Sequence, residues 1–132
     1  MGAAENKKLI ETMFAELSRG NGAGYLDRLA DDVRFTIMGT TKFSGTFNGK
    51  GEVVQKLLTP LMSQLEGGLS ITVDSMVAEG DTVVVQARGR STTKSGKAYN
   101  NSYCQVFRVE GGKVKAIAEY LDTELVTQAF GR

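Results

Sequence analysis

Apolar residues recur at helical spacing in the first part of the chain and alternate with polar ones in the second. Leu9, Ile10, Met13, Phe14 and Leu17 fall on one face of an amphipathic helix over about residues 4–19. Glu5, Lys8, Glu11, Glu16 and Arg19 lie mostly off that face, and Gly20-Asn21-Gly22 ends the helix. A short second helix presents Tyr25, Leu26 and Leu29. From Asp31-Asp32 the period changes to two: Val33, Phe35 and Ile37 alternate with Arg34 and Thr36, which predicts a strand. Residues 39–48, rich in Gly, Thr and Ser, read as a loop. A third helix spans about residues 49–65, with Asn48 as its cap and Glu52 in its first turn. Val53, Val54, Leu57, Leu58, Leu61, Met62 and Leu65 are its apolar set. Pro60 falls inside that set and must kink or divide the helix, because it lacks an N–H and crowds the preceding turn. Gly67-Gly68 terminates it.

The remainder is strand-like. Segments 69–78, 82–93, 98–109 and 113–121 are separated by Glu79-Gly80-Asp81, Lys94-Ser95-Gly96 and Glu110-Gly111-Gly112. Such spacing predicts an antiparallel meander. The C-terminal segment Thr123–Phe130 is expected to dock on its edge. Helix, helix, strand, helix and four strands make one α+β domain over residues 1–132, with helices and sheet burying their apolar faces on each other. Long twisted strands curling around helices leave a cavity at the open end, a usual place for a small-molecule site.

Composition narrows the chemistry. The chain of 132 residues has no His, one Cys and no Trp. That excludes Ser–His and Cys–His pairs, His-ligated metals, an intrachain disulfide and Cys-rich zinc. Carboxylates, Tyr, Lys, Arg and amides are left, and no motif asks for a cofactor or a metal. The net charge of +1 is scattered, so neither a nucleic-acid footprint nor a membrane-binding basic patch is expected. No apolar run follows the N-terminal lysines, and none approaches the ~18 residues of a membrane span. A cytoplasmic protein is the expectation. Lys94-Ser95-Gly96-Lys97 lacks the glycine-rich lead of a phosphate loop and sits in a hairpin.

Three stretches carry a resemblance. They are Ala30-Asp31-Asp32-Val33-Arg34-Phe35 at the helix-to-strand entry, Val106 to Val114 across the last hairpin, and Glu119-Tyr120-Leu121-Asp122. With the order of elements over about residues 5–125, they resemble the nuclear-transport-factor-2-like superfamily, and within it the SnoaL-like and ketosteroid-isomerase-like proteins. The resemblance implies a cone: three N-terminal helices packed on a curved antiparallel sheet around a central cavity. It also implies a homodimer through the outer sheet face. Because this fold serves isomerases, epoxide hydrolases, cyclases, dehydratases and plain binders, activity has to be argued from the site.

The site departs from the better-known members. Where ketosteroid isomerases keep an Asp base, a Tyr and a protonated Asp, this chain has Ile37, Phe14 and Gln105. Where limonene-epoxide-hydrolase-like members keep an Arg and two Asp, it has Tyr103, Gln105 and Glu119. Glu119 is therefore the leading acid/base candidate. By alternation Lys115, Ile117, Glu119 and Leu121 share one face, and Val114, Ala116, Ala118 and Tyr120 the other. Pattern alone makes the second face the core; the resemblance turns Ile117, Glu119 and Leu121 into the pocket. A pocket-facing Glu119 among apolar side chains has a raised pKa. The alternative is a solvent-facing Glu119, or one paired with Arg88 or Arg90.

Tyr103 and Gln105 share a strand face with Tyr99, Asn101 and Phe107 and offer hydrogen bonds to a ligand. Phe14, Phe35, Ile37, Leu61 and Met62 serve as core and as pocket wall. Cys104 faces away from Tyr103 as a buried core or interface thiol, and Asp31, Asp32 and Asp122 read as turn or capping residues. The resulting expectation is a cofactor-independent isomerase, cyclase or hydrolase acting on an apolar small molecule. Glu119 is its acid or base, with Gln105 and Tyr103 as partners. The competing expectations are a non-catalytic binder of hydrophobic molecules using the same cavity, or a dimeric scaffold.

Overall fold

A computed structural model describes residues 2–132. Helix α1 (Ala3–Ser18) buries Ile10, Met13 and Phe14, as its spacing predicts, and packs across two strands of the sheet. Gly20 ends it in the left-handed region, at φ +78°. Helix α2 (Gly22–Asp27) is capped by Asn21, whose side chain accepts from the Gly24 N–H at 3.1 Å. Strand β1 (Leu29–Ile37) buries Val33, Phe35 and Ile37.

The segment expected as a loop contains a further strand. β2 (Gly45–Asn48) pairs antiparallel with β1, from Arg34 opposite Asn48 to Ile37 opposite Gly45. Asn48 therefore belongs to a strand and does not cap the next helix. Its N–H donates to Glu52, and Gly49 holds the cap position at φ +90°. Of the two outcomes expected at Pro60, a kink or a division, the third helical segment is not divided, but its regular α-helical turns give way just before that residue. It runs as α3 (Lys50–Glu52), a π-helical stretch (Val53–Leu58) and α4 (Thr59–Met62). The widened turns sit directly before Pro60, relieving the clash and the lost N–H bond that a regular α-helix would suffer. The helix stops at Met62; Leu65 already lies in a strand.

β3 (Leu65–Glu79), β4 (Thr82–Thr93), β5 (Ser102–Glu110) and β6 (Lys113–Leu121) form the meander. Gly67 and Gly68 do not terminate a helix; they lie within β3 with positive φ, where the pairing with β4 slips. β1 joins this meander parallel to β6, so the sheet order is β2-β1-β6-β5-β4-β3. A second irregularity corrects the alternation expected for β6. Pairing steps from Arg108–Ala116 to Val109–Val114, leaving Lys115 as an extra residue. Val114 and Ile117 are consequently both buried, while Lys115 reaches outward to Asp32, Nζ to Oδ1 2.8 Å.

Helix α5 (Thr123–Phe130) does not dock on the sheet edge. Asp122 caps it, accepting from the Leu125 N–H, and it buries Val126 and Ala129. Its Phe130 ring meets Phe43 and Tyr99 edge-on, with centroids 5.2 and 4.7 Å apart. The helix thus covers one end of the space between helices and sheet. Phe14 of α1 meets Phe107 of β5 edge-on, with centroids 6.0 Å apart and ring planes at 84°. Among the described residues no helix is long and apolar enough to cross a membrane.

Candidate functional site

Between helices and sheet lies a cavity of about 540 Å³. Its walls are mostly apolar: Phe14 and Leu17 from α1, Phe35 and Ile37 from β1, Leu57 and Leu58 from the π-helical stretch, Leu61 and Met62 from α4. Leu69 and Ile71 from β3 and Phe43, Leu121 and Val126 add to them, with the hydroxyls of Ser18, Thr41 and Ser70 among them. Against this surface stand Glu119, Gln105, Tyr103, Tyr99 and Tyr25. No Lys or Arg lines the cavity among the described residues.

Sheet register places Glu119. It lies opposite Gln105 across the β5–β6 hairpin and opposite Ile37 in the parallel pairing with β1, so its side chain rises from the middle of the floor. Gln105 Nε2 donates to Glu119 Oε1 at 2.6 Å. Glu119 is 8% exposed. Burial pushes its carboxyl up to about 7, against the opposing pull of the Gln105 hydrogen bond. Neither Arg88 nor Arg90 approaches it. Arg88 makes a two-pronged pair with Asp74 on the outer face, with N–O distances of 2.7–3.1 Å.

Tyr103 sits two residues from Gln105 on the same face and opposite Leu121. Its ring lies against Gly89 of β4: a Cβ built at Gly89 comes within 2.9 Å of Tyr103 Cε2 and 3.1 Å of Leu69 Cδ1. Glycine at this strand position is what lets the ring lie flat. Burial raises the Tyr103 phenol far above the ordinary tyrosine range, helped by Tyr99 and the Glu119 charge, so it stays protonated. Tyr99 is also raised by burial and accepts from Asn101 Nδ2 at 3.1 Å.

Phe14, Phe35, Ile37, Leu61, Leu121, Tyr103, Gln105 and Glu119 all line the cavity, where the sequence reading put them. Asn101 and Ile117 do not. Asn101 is 1% exposed, and its amide is fully engaged. Besides Tyr99, Nδ2 reaches the Asp122 carbonyl, and Oδ1 accepts from the Ser102 and Asp122 N–H groups. It ties the start of β5 to the cap of α5. Ile117, on the same sheet face as Glu119, is sealed in the core and does not reach the cavity. Cys104 is half-buried on the outer face, away from the cavity and outside the core.

Tyr25 was overlooked. In the sequence it is one of three apolar positions, with Leu26 and Leu29, given to a short helix, and is indistinguishable from a core tyrosine; the helix ends at Asp27 and Leu29 opens β1. In the structure it lines the cavity, 8% exposed, and its phenol is raised first by burial and then by the nearby Glu119 carboxylate. Among the described residues no cluster of Asp, Glu and Cys is arranged to hold a metal ion.

The SnoaL-like domain family model matches residues 10–117, and the chain belongs to that family. An uncharacterised protein of Mycobacterium tuberculosis is 23% identical over 122 residues, 92% of either chain. A nuclear-transport-factor-2-like protein from Burkholderia thailandensis superposes with a TM-score of 0.86 at 25% identity, covering 98% of both chains. An LEH-like epoxide hydrolase from Mycobacterium tuberculosis superposes at 0.72 with 16% identity, covering 96% of this chain and 90% of its own. The last likeness is one of fold.

Proposed function

We propose that the cavity is the active site of a cofactor-independent enzyme that moves a proton on an apolar, oxygen-bearing small molecule, with Glu119 as the acid/base group. The observation that carries this reading is a buried carboxyl facing an apolar cavity with a neutral amide, not a cation, as its partner. A group titrating near 7 is present in both forms at neutral pH and can both take and return a proton. Gln105 fixes one carboxylate oxygen and leaves the other for the substrate. Tyr103 and Tyr25 keep their protons and are suited to donate to an oxyanion as charge develops there. This set fits isomerisation, cyclisation or water addition. Epoxide opening with the Arg-and-two-carboxylate arrangement is disfavoured, since Tyr103 and Gln105 stand in two of its places.

The test is hydrogen exchange, which such reactions share. Apolar ring ketones such as α-tetralone are incubated with protein in D₂O and followed by mass spectrometry. Wild-type protein incorporates deuterium beside the carbonyl. Glu119→Gln slows incorporation at least ~100-fold, the scale of a lost general base, while still binding the ketone. Equal binding with no exchange by either protein contradicts the acid/base reading and leaves a carrier of hydrophobic molecules.

We also propose that two copies pair through the outer face of β4, β5 and β6. There Val84, Cys104, Val106, Ala116 and Ala118 are half-buried and Tyr120 is 49% exposed. Such a low, small-residue face suits self-association by a two-fold axis. Light scattering at a dimer's mass, reverting to a monomer's in Tyr120→Lys, supports the pairing; a monomer in wild type removes it.

A further inference from the structure

A buried carboxylate is unfavourable unless it is protonated or paired with a positive charge. Most acids of this chain with altered ionisation are paired on the surface: Glu16 with Arg19, Asp32 with Lys115, Glu52 with Lys56, Asp74 with Arg88. Glu119 has only Gln105. The titratable groups facing the same space are Tyr25 from α2, Tyr99 ahead of β5 and Tyr103 from β5; β1, the π-helical stretch, α4 and α5 contribute only apolar side chains. Among the described residues nothing cationic faces this space. Among the described residues six aromatic side chains line the cavity: Phe14, Phe35, Phe43, Tyr25, Tyr99 and Tyr103. Ring faces attract cations, most strongly when water is excluded.

We propose that this cavity takes lipophilic amines, the ligand's ammonium pairing with Glu119 while its hydrocarbon body lies on the aromatic and aliphatic walls. This rests on the reading of the cavity as a ligand site with Glu119 facing in, but not on catalysis. A volume of about 540 Å³ accommodates an amine with a two- or three-ring body. The same electrostatics disfavour carboxylates and phosphates, which meet the Glu119 charge with no cation to offset it. The proton balance is definite. An ammonium entering while Glu119 is protonated displaces one proton to solvent, so affinity rises with pH until the carboxyl is ionised. Above that point binding moves no proton, until the free amine itself loses its charge.

The test uses three probes on one ring system: 2-naphthylmethylamine, 2-naphthylmethanol and 2-naphthoate. The chain has no Trp, so naphthalene fluorescence anisotropy reports binding cleanly. Amine affinity is expected to rise by up to about a hundredfold from pH 5 to pH 8, following ionisation of a group near 7. The alcohol should stay nearly flat, and the naphthoate should bind more weakly than the alcohol at pH 8. At pH 8 the amine should bind at least ~10-fold tighter than the alcohol, the scale of a charge-assisted contact. Glu119→Gln, nearly isosteric, should keep the alcohol's affinity and lose both the amine's advantage and its pH dependence. If the alcohol binds but the amine shows no advantage, or keeps it in Glu119→Gln, the proposal is overturned and the acid/base reading stands. If neither binds wild-type protein, the cavity is not a ligand site and both readings fall.

Discussion

Two ends of one strand treat charge in opposite ways. At the start of β6, Lys115 bulges outward and its ammonium meets Asp32 in the open, where the pair holds the Asp32 carboxyl below the usual range. Four residues on, Glu119 points inward, meets an amide, and is driven upward by burial. The first arrangement is what a solvated surface does with an acid, and solvent and salt leave little of its interaction as stability. The second keeps an acid where it destabilises the fold, and function is the reason the geometry suggests. The bulge at Lys115 is what separates the two environments: it sends one charged side chain out and puts Ile117 and Glu119 in register with the interior.

The sharpest break of this comparison is catalytic. Glu119→Gln should lower ketone deuteration at least ~100-fold, whereas Asp32→Asn should leave the rate within about twofold, as expected of a surface change away from the site. Equal losses in both variants would erase the distinction.

Stability against pH gives the next largest effect. The folded-state pKa of Glu119 lies above its unfolded value, so its contribution is fully favourable below about pH 4.5 and is lost as pH rises through about 7. A shift from 4.5 to about 7 corresponds to about 3 kcal/mol. Glu119→Gln should therefore gain up to about 3 kcal/mol on wild type at pH 8 and close to nothing at pH 4, read by urea unfolding at the two pH values. Asp32 has the opposite sign: its contribution is present at neutral pH and fades as pH falls through its depressed pKa. A Glu119→Gln gain that is the same at both pH values would mean packing, not ionisation.

Gly89→Ala tests the wall rather than the acid. Its methyl group meets the Tyr103 ring at 2.9 Å, so the ring, which lines the cavity, must shift. Overpacking of this kind costs about 1–3 kcal/mol. Naphthylmethanol should bind more weakly in Gly89→Ala, and Gly89→Ala combined with Tyr103→Ala should restore it. Unchanged binding in the single variant would show that the Tyr103 ring does not shape the space. The smallest effect is expected from Gln105→Leu. It removes the hydrogen bond that opposes desolvation, so the Glu119 pKa should rise further, seen as a shift of the exchange profile to higher pH.

Much of this arrangement was legible in the sequence. The alternation of Val33, Phe35 and Ile37, the helical spacing through Phe14, and the turns between the last strands fixed where the walls of the cavity come from. What escaped has physical causes. Strand β2 is short and built from Gly, Thr, Phe and Asn, so its pairing with β1, not its composition, makes it a strand. The orientation of Glu119 was ambiguous because a bulge breaks the period of two, and a bulge leaves no mark in residue type. Asn101 carries the same chemistry whether it binds a ligand or ties down a helix cap. Tyr25 looks like core because its ring is core; only the fold shows that its hydroxyl belongs to the cavity.

The central claim is that Glu119 is a buried acid without a cationic partner. Carbon-13 NMR of the glutamate side-chain carboxyls, titrated from pH 4 to pH 9 and assigned by difference with Glu119→Gln, tests it directly. An apparent pKa near 7 for the ligand-free protein is the expected result; titration of Glu119 below about 5, the range of an ordinary solvated glutamate, would contradict it.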